Sequence, residues 1–181
     1  MRVWSETMSA EKNRQDRPRK RLASRALSVV SILVALLLIH LWQTRDLVDG
    51  RAPALSGQIL GGERFDLHHQ GERPLLVHFW ASWCPVCRLE SGGIASLSKD
   101  YPVVSVAMQS GSESEVTEFL GQNLLQIPVI NDPDGKLAAA WRVSGVPTSY
   151  IIGRDGRVKF SSVGYTLPLT LRARLWLAEF W

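Results

Sequence analysis

The sequence predicts an α/β domain built on a mixed sheet, and three observations carry that expectation. Strand-like and helix-like segments alternate from about residue 55 to the end of the chain. One strand segment, Pro74 to Trp80 (PLLVHFW), is apolar almost throughout, as a strand covered on both faces must be. Near the end, two strand segments flank the turn Arg154-Asp155-Gly156-Arg157, which signals a hairpin.

Taken in order, residues 1–25 are polar, charged and aperiodic, and read as a disordered tail. Residues 26–44, ALSVVSILVALLLIHLWQT, carry no Lys, Arg, Asp or Glu. As a helix they would reach roughly 28 Å, about the thickness of a bilayer's hydrocarbon core. Trp42 stands where an interfacial aromatic belongs, and cations crowd the N-terminal flank only. The expectation is a single transmembrane anchor, with residues 1–25 in the cytoplasm and the rest outside it. A cleavable signal peptide is the rival, with Ala52-Pro53-Ala54 as its cleavage site. That site lies about ten residues beyond the apolar run, too far for the usual arrangement. Either way the C-terminal part is exported. A bacterial inner membrane with a periplasmic domain is the expected setting.

Residues 45–54 read as a linker, and residues 55–181 as the folded domain. Leu55 to Leu60 and Glu63 to Leu67 suggest a small hairpin turning at Gly61-Gly62. After the Pro74–Trp80 strand, Cys84 to about Leu97 reads as a helix, which Gly92-Gly93 would weaken. Val103 to Met108 is the next strand. Ser112 and Glu115 form a capping box ahead of Val116, Phe119 and Leu120, with Gly121 as a stop. Ile127 to Ile130 reads as a short strand, NDPDG as a turn and Lys136 to Trp141 as a brief helix. Thr148 to Ile152 and Val158 to Ser162 form the hairpin, and Leu169 to Phe180 an amphipathic closing helix.

Charge excludes one class of partner. The net charge is +4, but eight of the 21 Lys/Arg fall in residues 1–25 against Glu6, Glu11 and Asp16. The remainder is close to neutral with no basic stripe, so nucleic acid is not an expected ligand.

The chemistry concentrates in WASWCPVCRLE, residues 80 to 90, which holds both cysteines, Cys84 and Cys87. As a crosslink they would close a loop of four residues and stabilise the fold by about 2 kcal/mol, a poor use of a chain's two cysteines. As half of a zinc site they lack partners. His40 lies in the apolar segment, and His68-His69 are adjacent on a polar stretch without the spacing of a zinc hairpin. Copper(I) could use the thiolates alone. A redox pair fits best. A sulfur at a helix start faces unpaired N–H groups and the positive end of the dipole, which favour a thiolate. Cys87, one turn inward, is placed to resolve a mixed disulfide. Pro85 is tolerated in the first turn.

FWASWCPVC, the later GVPTSYII and the DPDG and GRDGRV turns resemble the thioredoxin fold. More narrowly, they resemble the membrane-anchored TlpA-like thiol–disulfide oxidoreductases, of the copper-sensitivity suppressor and cytochrome c maturation types. The resemblance covers about residues 51 to 181. It implies a mixed central sheet flanked by helices, with Cys84 and Cys87 as the redox pair and no other cofactor or metal. It also implies a cis peptide bond at Pro147 beside the pair, and at Val146 backbone groups for a substrate strand. Glu90 matches an acidic residue that helps move the resolving thiol's proton. Trp83 would cover the site and touch substrate. His78 departs from thioredoxin, which has a buried aspartate there; a neutral imidazole could also accept the proton.

The leading expectation is therefore an enzyme exchanging disulfides with exported proteins, served by a membrane redox partner. The alternative is a copper(I) carrier using the same two cysteines, against which stands the lack of any histidine after His78. A peroxidase would need Thr and Pro ahead of its cysteine, where Ala81-Ser82-Trp83 stand instead.

Overall fold

A computed structural model of the chain describes residues 27–35, 38–39, 47–69, 71 and 73–180. The chain divides into two units, Met1–Gln43 and Thr44–Trp181. In the first, residues 27–35 and 38–39 are helical. Among the described residues no helix is long and apolar enough to cross a membrane. The expected anchor over 26–44 falls partly outside those residues, and the expected tail over 1–25 wholly outside them.

The second unit begins with a two-stranded antiparallel hairpin, β1 (Ser56–Gln58) and β2 (Arg64–Asp66). The central sheet follows, with β3 (Leu75–Trp80), β4 (Val103–Met108), β5 (Val129–Asp132), β6 (Thr148–Ile152) and β7 (Val158–Val163). Their order is β5-β4-β3-β6-β7, with β3, β4 and β5 parallel and β6 and β7 antiparallel to their neighbours. The helices are α1 (Pro85–Leu97), α2 (Glu113–Gln122), α3 (Lys136–Ala140) and α4 (Pro168–Ala178).

β3 explains its own apolar run. All six residues are buried, and they alternate between two faces. Leu75, Val77 and Phe79 join Trp141, Tyr150, Leu55 and Leu47 on one side. Leu76 faces Ile94 and Leu97 of α1 and Leu171 and Leu175 of α4 on the other. Around Trp80 a third cluster gathers Ala81, Cys84, Cys87 and Val116. The redox pair therefore sits over the end of the most buried strand.

Three local readings are corrected. The fifth strand is Val129–Asp132, two residues later than its apolar residues suggest, because Val129 registers with Ser105 and Asp132 with Met108. Gly121 does not stop α2; the capping box at Ser112 and Glu115 starts the helix, which runs to Gln122 and ends at Asn123. The closing helix is not cleanly amphipathic: Leu171, Leu175 and Ala178 are buried, but Leu169, Trp176 and Leu177 are exposed. Gly92-Gly93 does not break α1, and Gly93 has a use. A Cβ there would stand 2.4 Å from Pro168 Cγ, so the glycine lets the start of α4 lie against α1.

Trp141 anchors the core on the α3 side. Its ring lies 5.7 Å from Phe79 and 5.1 Å from Tyr150, and its Nε1 donates to Ala54 O at 3.3 Å. Trp141→Ala is expected to lower unfolding free energy by about 3–5 kcal/mol in urea titrations, the usual cost of emptying such a site.

Candidate active site

The sheet ends at Trp80, and residues 81–83 turn the chain into α1. Three contacts fix that turn. Ser82 N–H donates to Ser110 Oγ at 3.0 Å, and Trp83 Nε1 donates to Gln109 O at 3.0 Å. From the helix side, Arg88 Nε and Nη2 both donate to Ser82 O, at 3.2 and 2.9 Å. Its guanidinium also lies 5.6 Å from the Phe119 ring centroid. Arg88, Ser110 and Gln109 were not anticipated. Only Arg88, a cation next to the pair, carried any sequence signal.

Cys84 is the N-cap of α1, and its sulfur accepts the N–H of Cys87 at 3.2 Å. This is the hydrogen bond a capping side chain makes, here supplied by sulfur. The Cys84 thiol also reaches Val146 O at 3.6 Å. Val146-Pro147 is a cis peptide bond, the isomer the resemblance implies. Cys84, Cys87, Val146 and Pro147 are thus together. Trp83 stands at the rim, 56% exposed.

The two cysteines, both free thiols, are not equivalent. Both are buried, Cys84 4% and Cys87 3% exposed, and the Cys87 thiol is pushed up to about 12, first by burial and then by hydrogen bonding to Cys84. The charge of Glu90 pushes in the same direction, and the backbone of Ala81 opposes it. At neutral pH Cys87 therefore keeps its proton.

Glu90 lies one turn along, on the same helix face. It is only 1% exposed. Its Oε1 accepts the backbone N–H of Thr166 at 3.1 Å, while buried Oε2 has no hydrogen-bond partner among the described residues. Burial pushes its carboxyl up to about 7, against the lowering pull of the Thr166 N–H. The partner was invisible in the sequence, because Thr166 contributes only its backbone.

His78, on β3, is wholly buried, and its Nδ1 meets Ser149 Oγ at 3.0 Å. Burial lowers its pKa to about 4, so the ring is neutral. His78 and Cys87 line the same small space of about 10 Å³, with Trp80 and Phe119. That holds no more than about one water molecule.

Glu90 and His78 titrate against each other in the folding equilibrium. Glu90, raised from 4.5 to about 7, holds a proton in the native state that the unfolded chain has released, so its contribution to stability falls with pH between those values. His78, lowered from 6.5 to about 4, stays neutral while the unfolded chain is protonated, so its contribution rises with pH over its own window. The two slopes cancel between about pH 4.5 and 6.5. Wild-type stability is expected to be nearly flat there in urea titrations, whereas Glu90→Gln leaves His78 uncompensated and gains stability as pH rises across that window.

Residues 47–170 match the Redoxin family. The chain is 33% identical over 163 residues to a thioredoxin-like protein of Haemophilus influenzae, covering 89% of this chain and 97% of that one. It is 30% identical over 148 residues to the thiol:disulfide interchange protein DsbE of Xylella fastidiosa, covering 75% and 74%. A crystal structure assigned as DsbE from Chlorobium tepidum superimposes with a TM-score of 0.65 at 27% identity, over 74% of this chain and 99% of that one. A fold and a thiol pair of this kind, together with these matches, place the chain in the Redoxin family, among the thioredoxin-fold thiol–disulfide oxidoreductases of the TlpA-like type.

Proposed function

We propose that the protein is a membrane-anchored oxidoreductase that exchanges disulfides with exported proteins through Cys84 and Cys87. Residues 26–44 anchor it, and the domain works in the periplasm, drawing on a membrane redox partner. What supports the anchor is the uncharged run with eight Lys/Arg in the 25 residues before it, against Arg45 and Arg51 just after it. What supports the chemistry is the unlike character of the two thiols, and this observation carries the proposal. The pair works without a metal or organic cofactor.

In the reducing direction, the Cys84 sulfur attacks a disulfide sulfur of the partner. A mixed disulfide forms, and one partner thiolate leaves and takes up a proton. Val146 offers its backbone to the partner strand beside Pro147, and Trp83 shields the reacting sulfurs. Cys87 must then lose a proton before it can attack Cys84 Sγ. The Glu90 carboxylate, with Oε2 unpartnered, accepts it. A base with a pKa of about 7 is ionised in a large fraction of molecules at neutral pH, so it can take the proton and give it up again. Attack by Cys87 closes the Cys84–Cys87 disulfide and releases the second partner thiolate. Run backwards, the same steps oxidise a dithiol. The pair's reduction potential sets the direction, on a scale from about −270 mV for thioredoxin to about −120 mV for a strong oxidant. His78, neutral and against Cys87, keeps the space behind the thiol uncharged.

The copper(I)-carrier alternative finds no additional ligands. Among the described residues no group of three or more His, Cys, Asp or Glu is placed to hold a metal ion.

The chemistry is tested with substitutions at two positions. Cys87→Ala is expected to accumulate a mixed disulfide between Cys84 and exported proteins, visible on non-reducing gels and lost with Cys84→Ser. Glu90→Gln is expected to form that species at the wild-type rate and to resolve it roughly 10²-fold more slowly. Absence of any mixed disulfide in Cys87→Ala would remove the exchange reaction.

A further inference from the structure

Cys87 has two flanks, and the exchange chemistry uses one of them. Successive helix residues are about 100° apart, so Glu90 and Arg88 leave α1 on opposite flanks of Cys87, roughly 160° from each other. On one flank stands the carboxylate that takes the proton. On the other lies the space of about 10 Å³ behind the thiol, which His78, Trp80 and Ile94 line together with Cys87. A second space, an open groove of about 370 Å³, lies beside Trp83 and is lined by Ser82 and by Glu115, Glu118 and Gln122. Among the described residues two line both spaces, Arg88 and Phe119.

These two residues stand in a continuous partition between the groove and the thiol. Its inner support is Trp80, whose Nε1 donates to Ser105 Oγ at 3.2 Å. Phe119 lies against Trp80, with ring centroids 5.4 Å apart and planes tilted by 31°. The Arg88 guanidinium lies 5.6 Å from the Phe119 centroid, and its Nε and Nη2 hold Ser82 O at 3.2 and 2.9 Å. Trp80, Phe119, Arg88 and Ser82 thus join the sheet to the turn that carries Cys84. The two faces of this wall differ. Arg88 is exposed and Phe119 half-buried, whereas Cys87 behind them is 3% exposed. A guanidinium suits such a wall, since it can pair with an aromatic ring and a carbonyl at once while remaining charged toward water.

We infer that Arg88 and Phe119 seal the space behind Cys87 against water from the groove, so that the Cys87 proton leaves through Glu90 rather than to solvent; the inference rests on the exchange reading proposed above. The cause is electrostatic. Water behind the thiol would hydrate a thiolate and carry its proton away, which would make Cys87 more acidic and Glu90 dispensable. With the wall shut, the titratable groups facing the thiol are Cys84 and Glu90 from α1 and His78 from β3. Glu115 and Glu118 of α2 stand on the groove side. His78, held at about 4, is too weak a base to compete with Glu90 at about 7. Arg88 and Phe119 are therefore positioning residues, acting through the space they close rather than on the reacting sulfurs.

The test uses the full chain, reduced, as wild type and as Phe119→Ala, Phe119→Leu and Arg88→Ala. Prolonged iodoacetamide treatment at neutral pH reads the rate at which Cys87 is labelled, in buffer and in dilute urea. Phe119→Ala and Arg88→Ala are expected to label Cys87 at least about tenfold faster than wild type, at a rate that dilute urea leaves unchanged. Phe119→Leu, which refills most of the wall, is expected to stay within about threefold of wild type. Resolution of the mixed disulfide adds a readout that a loss of stability would not move. Behind the opened wall of Phe119→Ala, Glu90→Gln is expected to slow resolution by no more than about threefold, against roughly 10²-fold behind the intact one. Faster labelling that rises with urea comes from unfolding and overturns the inference, as does a Glu90→Gln defect of full size in Phe119→Ala. Wild-type labelling in both alanine variants, beside a mixed disulfide trapped by Cys87→Ala, overturns the inference and leaves the exchange reading standing. If Cys87→Ala traps no mixed disulfide, the exchange reading falls and the proton route falls with it.

Discussion

Burying Glu90 one helical turn beyond Cys87 is the constraint on which the rest of the site depends. A carboxyl that is 1% exposed is stable only where something meets its oxygens. Here the backbone N–H of Thr166 meets one of them, and among the described residues nothing meets the other. That N–H can arrive only if the chain entering α4 lies close against α1. Gly93 permits the approach, since any side chain there would strike Pro168. The β7–α4 connection is thus part of the site, although it lies 76 residues from Glu90 in sequence.

From that packing follows a division of labour between two thiols that look alike in sequence. Cys84 caps the helix and lies against the Val146 carbonyl at the edge of the cis-proline segment. Cys87 lies inward, where burial keeps its proton in place. In the proposed exchange Glu90 relieves it, and burial has raised that carboxyl's own affinity for a proton as well. Arg88 contributes from the opposite side by holding the Ser82 carbonyl with two nitrogens. It fixes the turn that aims Cys84 without touching either sulfur.

Local chemistry is what made part of this legible in the sequence. A buried strand followed at once by Trp-Cys-Pro-Val-Cys reads as a strand-to-helix junction, because the cap, the proline and the apolar run act within a few residues. The capping box at Ser112 and Glu115 is legible for the same reason, and so is the placement of Glu90 by its three-residue spacing. Contacts made by backbone atoms leave no mark on residue identity, which is why Thr166 and the Ser82 carbonyl escaped. Register is also nonlocal: Ile127 is apolar but packs outside the ladder, while Asp132 closes β5 and accepts the N–H groups of Leu137 and Ala138. The exposed apolar residues of α4 broke an expected periodicity.

The central claim is the asymmetry of the pair, and brief alkylation tests it most directly. Reduced protein at neutral pH would be treated with substoichiometric iodoacetamide, and the labelled cysteine located by mass spectrometry. The account predicts label on Cys84 alone, with Cys87 reacting only after unfolding. Equal labelling of both, or label first on Cys87, would contradict it.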